Sequence, residues 1–464
     1  GRCSIGFKRF AVVVSLLTII LPLSASAEPW RLSKAADLPG WLNISGSQRT
    51  RYESLDNQYR AGRGGGDQSV ALRTMLLTEL RFDGWRVGAE LIDSRHYLDD
   101  SGTPLNTTHV NPAELLQAYL AWDAKGLIES GSTSELKLGR LTIDFGSRRF
   151  VARSKFRNTM NTFTGANWIW NGADGNRIHA FYTLPVNRKP NTAVRLEDND
   201  IEFDEEDTDV RYWGLYYQFR PLAGNHRAEI YVIGLDESDS DNRPTRNREH
   251  YTPGLRFYRP KVRGKFDYLL EAAIQFGEVR ATSRSSDTRD LDHFAHFEHL
   301  EIGYTFEHRW SPRLNLDFDY ASGDDSPTDS ESERFDTMFG ARRFEFGPTG
   351  IYGAFARSNL LTPGLRLNFK PMPRSSVMLA YRGYWLASDQ DAWTTAGTRD
   401  ASGNSGSFIG QQIEGRFRYD VAPGNYRFEA GLVGLFDGEF MRKAPNASRQ
   451  GDVFYAYTQI LLTF

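Results

Sequence analysis

From about residue 41 to the end of the chain, apolar side chains return at every second position, with polar or charged residues between them. In Arg313 to Tyr320, Leu314, Leu316, Phe318 and Tyr320 share one face, while Arg313, Asn315, Asp317 and Asp319 share the other. Leu365, Leu367 and Phe369 oppose Arg366, Asn368 and Lys370, and Ile413, Phe417 and Tyr419 oppose Glu414, Arg416 and Arg418. A soluble sandwich alternates in the same way, so the spacing between strands has to decide. The pattern predicts about eighteen strands, among them 41–54, 113–123, 134–143, 163–171, 177–184, 313–321, 409–419 and 452–464. Their connections alternate in length. Tight ones such as Phe82-Asp83-Gly84 and Pro371 to Arg374 carry turn residues. Long ones such as 144–162, 185–208 and 322–359 are rich in Ser, Asp, Asn, Gly and Arg.

Long-short alternation is the signature of an up-and-down meander with turns at one end and loops at the other. The expected fold is therefore all-β: a transmembrane antiparallel barrel of about 18 strands over 41–464, with long extracellular loops and short periplasmic turns. Every backbone polar group in lipid must be paired internally, so such strands close on themselves. A barrel of this size leaves a lumen that water fills, with the charged face turned inward. This accounts for 25% charged residues in a chain with no long apolar run after its first segment. In that segment Arg2, Lys8 and Arg9 precede the apolar stretch 10–23 and the small residues Ala25-Ser26-Ala27. This pattern predicts a signal peptide over 1–27 and a periplasmic lead-in over 28–40. The only cysteine, Cys3, lies in that first segment, so no disulfide is expected in the barrel. The formal charge is −3, and no basic-aromatic patch suggests nucleic acid. The final strand sets Ile460, Leu462 and Phe464 on one face; a terminal aromatic of this kind is the signal expected by the barrel assembly machinery, and outer-membrane lipid is the expected surrounding partner.

Parity assigns lumen positions to Arg49, Arg51, Arg73, Arg211, Arg366, Arg382, Arg416 and Arg418, and among acids to Glu53, Glu79, Asp317, Asp319 and Glu414. Rings of such residues can hand an anion from one guanidinium to the next. They can also pair across strands and simply hydrate the wall. No catalytic motif is present, and no cofactor is expected. His293, His296 and His299 resemble a metal cluster, but on a strand only the first and last share a face, about 20 Å apart. The acidic run 197–207 reads as a solvated surface stretch, or as a calcium loop.

Four stretches resemble the alginate-export family of outer-membrane porins: Leu138 to Asn158, Ala341 to Asn359, Phe408 to Glu414 and Leu116 to Trp122. The resemblance implies a barrel in the bacterial outer membrane that passes an anionic polysaccharide or oligosaccharide of polyuronate type, with loops acting as lids. It implies that Arg140, Arg343 and Arg357 face the conduit with Gln412 or Glu414 beside them. It also implies that Arg148, Arg149, Arg153 and Arg157 form a basic loop folding over or into the mouth, and that periplasmic secretion partners exist. Where the secretion porin of the family carries an Arg-Glu pair, this chain has Leu116-Gln117, which leaves the sugar and the direction of transport open. Simple alternation puts Arg140 on the face of Leu136 and Leu138, so a lumen position for it requires a bulge. The alternatives are a general or small-anion porin without polymer specificity, and an outer-membrane enzyme or structural barrel.

Overall fold

The computed structural model describes residues 28–239 and 243–464. The expected signal peptide, 1–27, lies outside them. Of the twenty strands among the described residues, Glu205–Glu206 and Glu331–Ser332 are only two residues long; the other eighteen build one wall. In chain order these are β1 (Leu42–Asp56), β2 (Asp67–Phe82), β3 (Trp85–Tyr97), β4 (Asn111–Lys125), β5 (Thr133–Leu141) and β6 (Phe163–Asn171). They continue as β7 (Arg177–Asn187), β8 (Val210–Gln218), β9 (Arg227–Glu237), β10 (Glu249–Arg259), β11 (Phe266–Arg280) and β12 (Asp290–Thr305). The last six are β13 (Arg313–Ala321), β14 (Leu360–Phe369), β15 (Ser375–Trp385), β16 (Phe408–Ala422), β17 (Tyr426–Asp437) and β18 (Val453–Thr463). Each pairs antiparallel with its successor. β18 returns to β1, from Ser47↔Thr463 to Asp56↔Phe454, so the sheet closes.

Closure is finished by the last residue. The Phe464 backbone exchanges hydrogen bonds with Gly46 in both directions, at 2.9 and 3.0 Å. A Cβ on Gly46 would lie 2.7 Å from the Phe464 ring, so the missing side chain is what admits the terminal aromatic.

Sidedness follows the alternation. On β13, Arg313, Asn315, Asp317 and Asp319 are buried in the lumen, while Leu314, Leu316 and Phe318 are exposed on the outer face. Aromatic pairs mark the outer face near both ends: Trp85–Trp122 and Trp310–Phe369 beside the short turns, Trp385–Phe408 and Phe436–Phe454 beside the long loops. Such girdles sit where acyl chains give way to head groups. Arg211 departs from its expected lumen position. It shares a face with the exposed Leu215 and bonds the Thr208 and Val210 carbonyls instead, because β8 alternates without interruption from Val210.

The expected segments 163–171 and 313–321 match β6 and β13. The expected 177–184 stops short of β7, which continues to Asn187 because Glu205–Glu206 return to pair with Val186 and Asn187.

Leu316→Arg puts a charge against acyl chains and is expected to destabilise the barrel by about 2–4 kcal/mol, against little for Leu316→Ala. Reversible denaturant unfolding in bilayers measures the difference.

Candidate channel lumen

Two long loops leave the rim and fold inward: L3, residues 142–162, and L7, residues 322–359. A loop inside a barrel needs partners for its backbone carbonyls, and lumen arginines supply them. Arg49 donates to the carbonyls of Lys155 (2.9 Å) and Phe156 (2.7 Å), and Arg73 to those of Lys155 (3.1 Å) and Arg157 (2.8 Å). Arg51 lies over the Phe156 ring, its guanidinium 3.7 Å from the centroid. L7 is held similarly. Glu53 accepts from the Ile351 N–H (3.2 Å), and Arg366 donates to the carbonyls of Phe344 (2.6 Å) and Glu345 (3.1 Å). Gly350, at φ 50°, approaches Glu53 so closely that any side chain there would strike the carboxylate. Phe150 of L3 packs between Phe297 of β12 and Phe335 of L7, both centroids 5.6 Å away.

Where L3 and L7 meet, a dense ion-pair network crosses the lumen. Glu345 lies on a one-turn helix, α1 (Arg343–Phe346), with Arg149 and Arg357 both bound to it. Arg149 also reaches Glu271 (2.6 Å), and Arg382 reaches Asp319 (2.9 Å). His299, Asp319 and Glu345 bring three potential metal-ligand atoms within 4.8 Å of one another. That grouping differs from the histidine triplet of the sequence, since His296 is on the outer face near Tyr320 while His293 pairs with Gln275. Arginines occupy the Glu345 and Asp319 oxygens that would hold a cation, so the group works as part of the ion-pair network.

The loops divide the lumen into two cavities that share no lining residue. The cavity on the turn side has a volume of about 950 Å³ and the one on the loop side about 1080 Å³. Neighbouring residues of the partition face opposite ways: Arg343 and Phe156 line the first, Arg342 and Arg157 the second. Eleven Arg or Lys against two Glu line the turn-side cavity, and nine against three acids line the loop-side cavity. The whole chain carries −3, so the positive charge is concentrated inside. Much of it has no carboxylate partner. Among the described residues, Arg416 makes no ion pair, and Arg157, Arg188 and Arg342 bond carbonyl and amide oxygens only. Burial, followed by the neighbouring Arg188 and Arg342, pushes Arg157 well below the ordinary guanidinium range; burial pushes Arg188 down to about 10. In both cases the lost water comes first, and an anion beside either guanidinium would favour its charged form.

The eight expected site residues separate into four groups. Arg343, Arg366, Arg416 and Arg418 line the turn-side cavity, with Arg343 bound to the buried Glu414 at 2.7 Å. Arg357 lines the loop-side cavity, and Arg382 is buried in the network, touching neither. Arg140 is the correction. The pairings of β5 with β4 and β6 run without a register shift, so no bulge turns it inward, and it stays on the face of Leu136 and Leu138. There it bonds Glu114 (3.1 Å), the Leu115 carbonyl (3.2 Å) and Glu206 (2.7 Å). The basic loop carrying Arg148, Arg149, Arg153 and Arg157 does fold into the barrel. Sequence reasoning missed Glu345, Arg188 and Arg342, which sit on loops where no periodicity assigns a face.

The family model described as alginate export matches residues 40–454. The chain belongs to the alginate export family. It is an outer-membrane channel protein, located in the bacterial outer membrane. No curated protein matches it. Among solved structures it is similar to OccK9 (OpdG) of Pseudomonas aeruginosa, with TM-score 0.57 and 13% identity, covering 91% of this chain and 98% of that one. It is also similar to P. aeruginosa OpdK with vanillate (TM-score 0.55, 12% identity, 91% and 98% covered). A third is P. aeruginosa OccK2 (OpdF) in complex with glucuronate (TM-score 0.54, 12% identity, 91% and 98% covered). At these identities the likeness is one of fold.

Glu345→Gln removes the charge shared by Arg149 and Arg357. Breaking a buried pair costs about 3–5 kcal/mol, so the L3–L7 partition is expected to loosen and single-channel conductance to rise.

Proposed function

We propose that this channel passes carboxylate-bearing sugars, from single uronates to short oligosaccharides of polyuronate type, by passive conduction from one guanidinium to the next. The observation that carries the reading is the excess of unpaired arginine on both sides of the partition, in a chain whose total charge is negative. A carboxylate fits the planar guanidinium fork, and weak, repeated binding lets it leave each site. The vanillate and glucuronate of the OpdK and OccK2 structures are carboxylates, which supports the same ligand class here. The channel is read as a conduit with no catalytic step.

The small-anion reading has its own support, because the partition separates two cavities each suited to a ligand of a few rings at most. Passage of a long polymer would require L3 and L7 to part. The family description favours the polymer, and the lumen geometry favours short anions.

Single-channel recording with glucuronate and oligouronates separates these readings. Expected are anion selectivity, concentration-dependent block by both ligands, and weakening of that block by salt. Arg416→Ala removes a guanidinium that holds no internal ion pair, so block should weaken about tenfold with the fold intact, the scale of one lost charge-assisted hydrogen bond. A conductance indifferent to both carboxylates would overturn the proposal. Block by glucuronate alone would select the small-anion form.

A further inference from the structure

Above β5 the barrel wall is incomplete. β5 stops at Leu141 and β6 begins at Phe163, because L3 turns inward there, yet β4 and β7 run on towards the rim. Pairing between β4 and β5 begins only at Ala118↔Arg140, so residues 111–117 of β4, paired with β3 on one edge, have no strand on the other. Unpaired backbone at the depth of a membrane is costly. The fourth long loop, L4 (residues 188–209), closes the opening. Glu205 and Glu206 pair with the end of β7, and the Asp204 N–H donates to Glu114. Arg140 satisfies the bare Leu115 carbonyl and binds Glu206 (2.7 Å). Further along, the Asn199 amide bonds both backbone groups of His96 on β3, at 2.9 and 2.7 Å.

This strap follows the rule of the strands around it. Ile201, Phe203 and Glu205 are exposed, while Glu202, Asp204 and Glu206 turn towards the wall. The acidic run is thus not a uniformly solvated stretch, since Asp204 is buried against β4 and Glu206 is held by Arg140 and Thr164. On its outer side Ile201 is 55% exposed and Phe203 67%, with Val194 of the adjoining short helix (Ala193–Glu197) at 69%. In water, three large apolar side chains exposed on one loop would be an unexplained liability. The neighbouring outward positions of the wall, Leu91 (50%) and Leu115 (37%), belong to the lipid-facing band. Phe203 adjoins Asp204, which bonds the residue next to Leu115, so the exposed apolar face of the strap continues that band.

We infer that L4 is a surrogate wall strand whose outer face, Val194, Ile201 and Phe203, is seated among the acyl chains of the outer leaflet. The strap restores the seal that the inward course of L3 breaks. This inference is independent of what the lumen conducts.

Nitroxide labels at Phe203→Cys and Ile201→Cys, in a Cys3→Ser background, test it by collision with oxygen and with a water-soluble nickel chelate in vesicles. The expected result is oxygen access exceeding nickel access, as for a label at Leu115→Cys and opposite to one at the loop position Ala401→Cys. Nickel access equal to that at position 401 would overturn the inference. Spin–spin broadening that grows with the protein-to-lipid ratio would overturn it too, showing a second copy on the patch. The unmodified protein gives a second readout: a diazirine on a phospholipid acyl chain should leave adducts on residues 193–206, and their absence would count against the lipid contact.

Discussion

Backbone hydrogen bonding is the constraint on which this molecule rests. Inside a bilayer no water serves an unpaired N–H or C=O, so a sheet there must close on itself. The eighteen strands obey by pairing β18 with β1, down to the exchange between Phe464 and Gly46. Closure at this strand number leaves a wide lumen, and the alternation of side chains then makes the inner wall polar without further instruction. The same rule explains L4. Once L3 leaves the wall, the open edge of β4 needs partners: Arg140 meets the Leu115 carbonyl, Asp204 bonds Glu114, and Glu206 fastens Arg140 from the strap.

The lumen solves a second problem of the same kind. Two loops inside a barrel bring many carbonyl groups with them. Arg49, Arg73, Arg357 and Arg366 turn their donors to those carbonyls, so a cation that looks like a substrate site from its position on a strand is in part a structural tie. What remains for a ligand is the charge no carboxylate neutralises: Arg416 on the turn side, and on the loop side Arg157, Arg188 and Arg342, which tie carbonyl and amide oxygens but no acid. The partition between them is fastened by Glu345, whose two arginine partners come from L3 and from L7 itself.

Legibility followed periodicity. Strand positions, and the lumen facing of Arg366, Arg416 and Arg418, were readable because a strand has a period of two and one face was bound to be charged. Arg140 shows the same logic overriding a resemblance, since the motif implied a conduit residue and unbroken alternation put it outside. Glu345 and Arg342 were not readable, because a loop has no period and its direction depends on what receives it. The acidic run was misread for a related reason: its alternation of Ile201, Phe203 and Glu205 with three acids looks like surface charge until a gap in the wall stands beside it.

The sequence by itself determined that the chain is a closed, charged-inside barrel, and which side of each regular strand meets water. Only the tertiary structure decided where L3, L4 and L7 go, which arginines hold loops and which stay free, and that the lumen is divided in two. The physical reason is that the first set depends on local alternation and a shared need to pair the backbone. The second depends on meetings between residues far apart in the chain, such as Arg149 with Glu345 and Arg140 with Glu206.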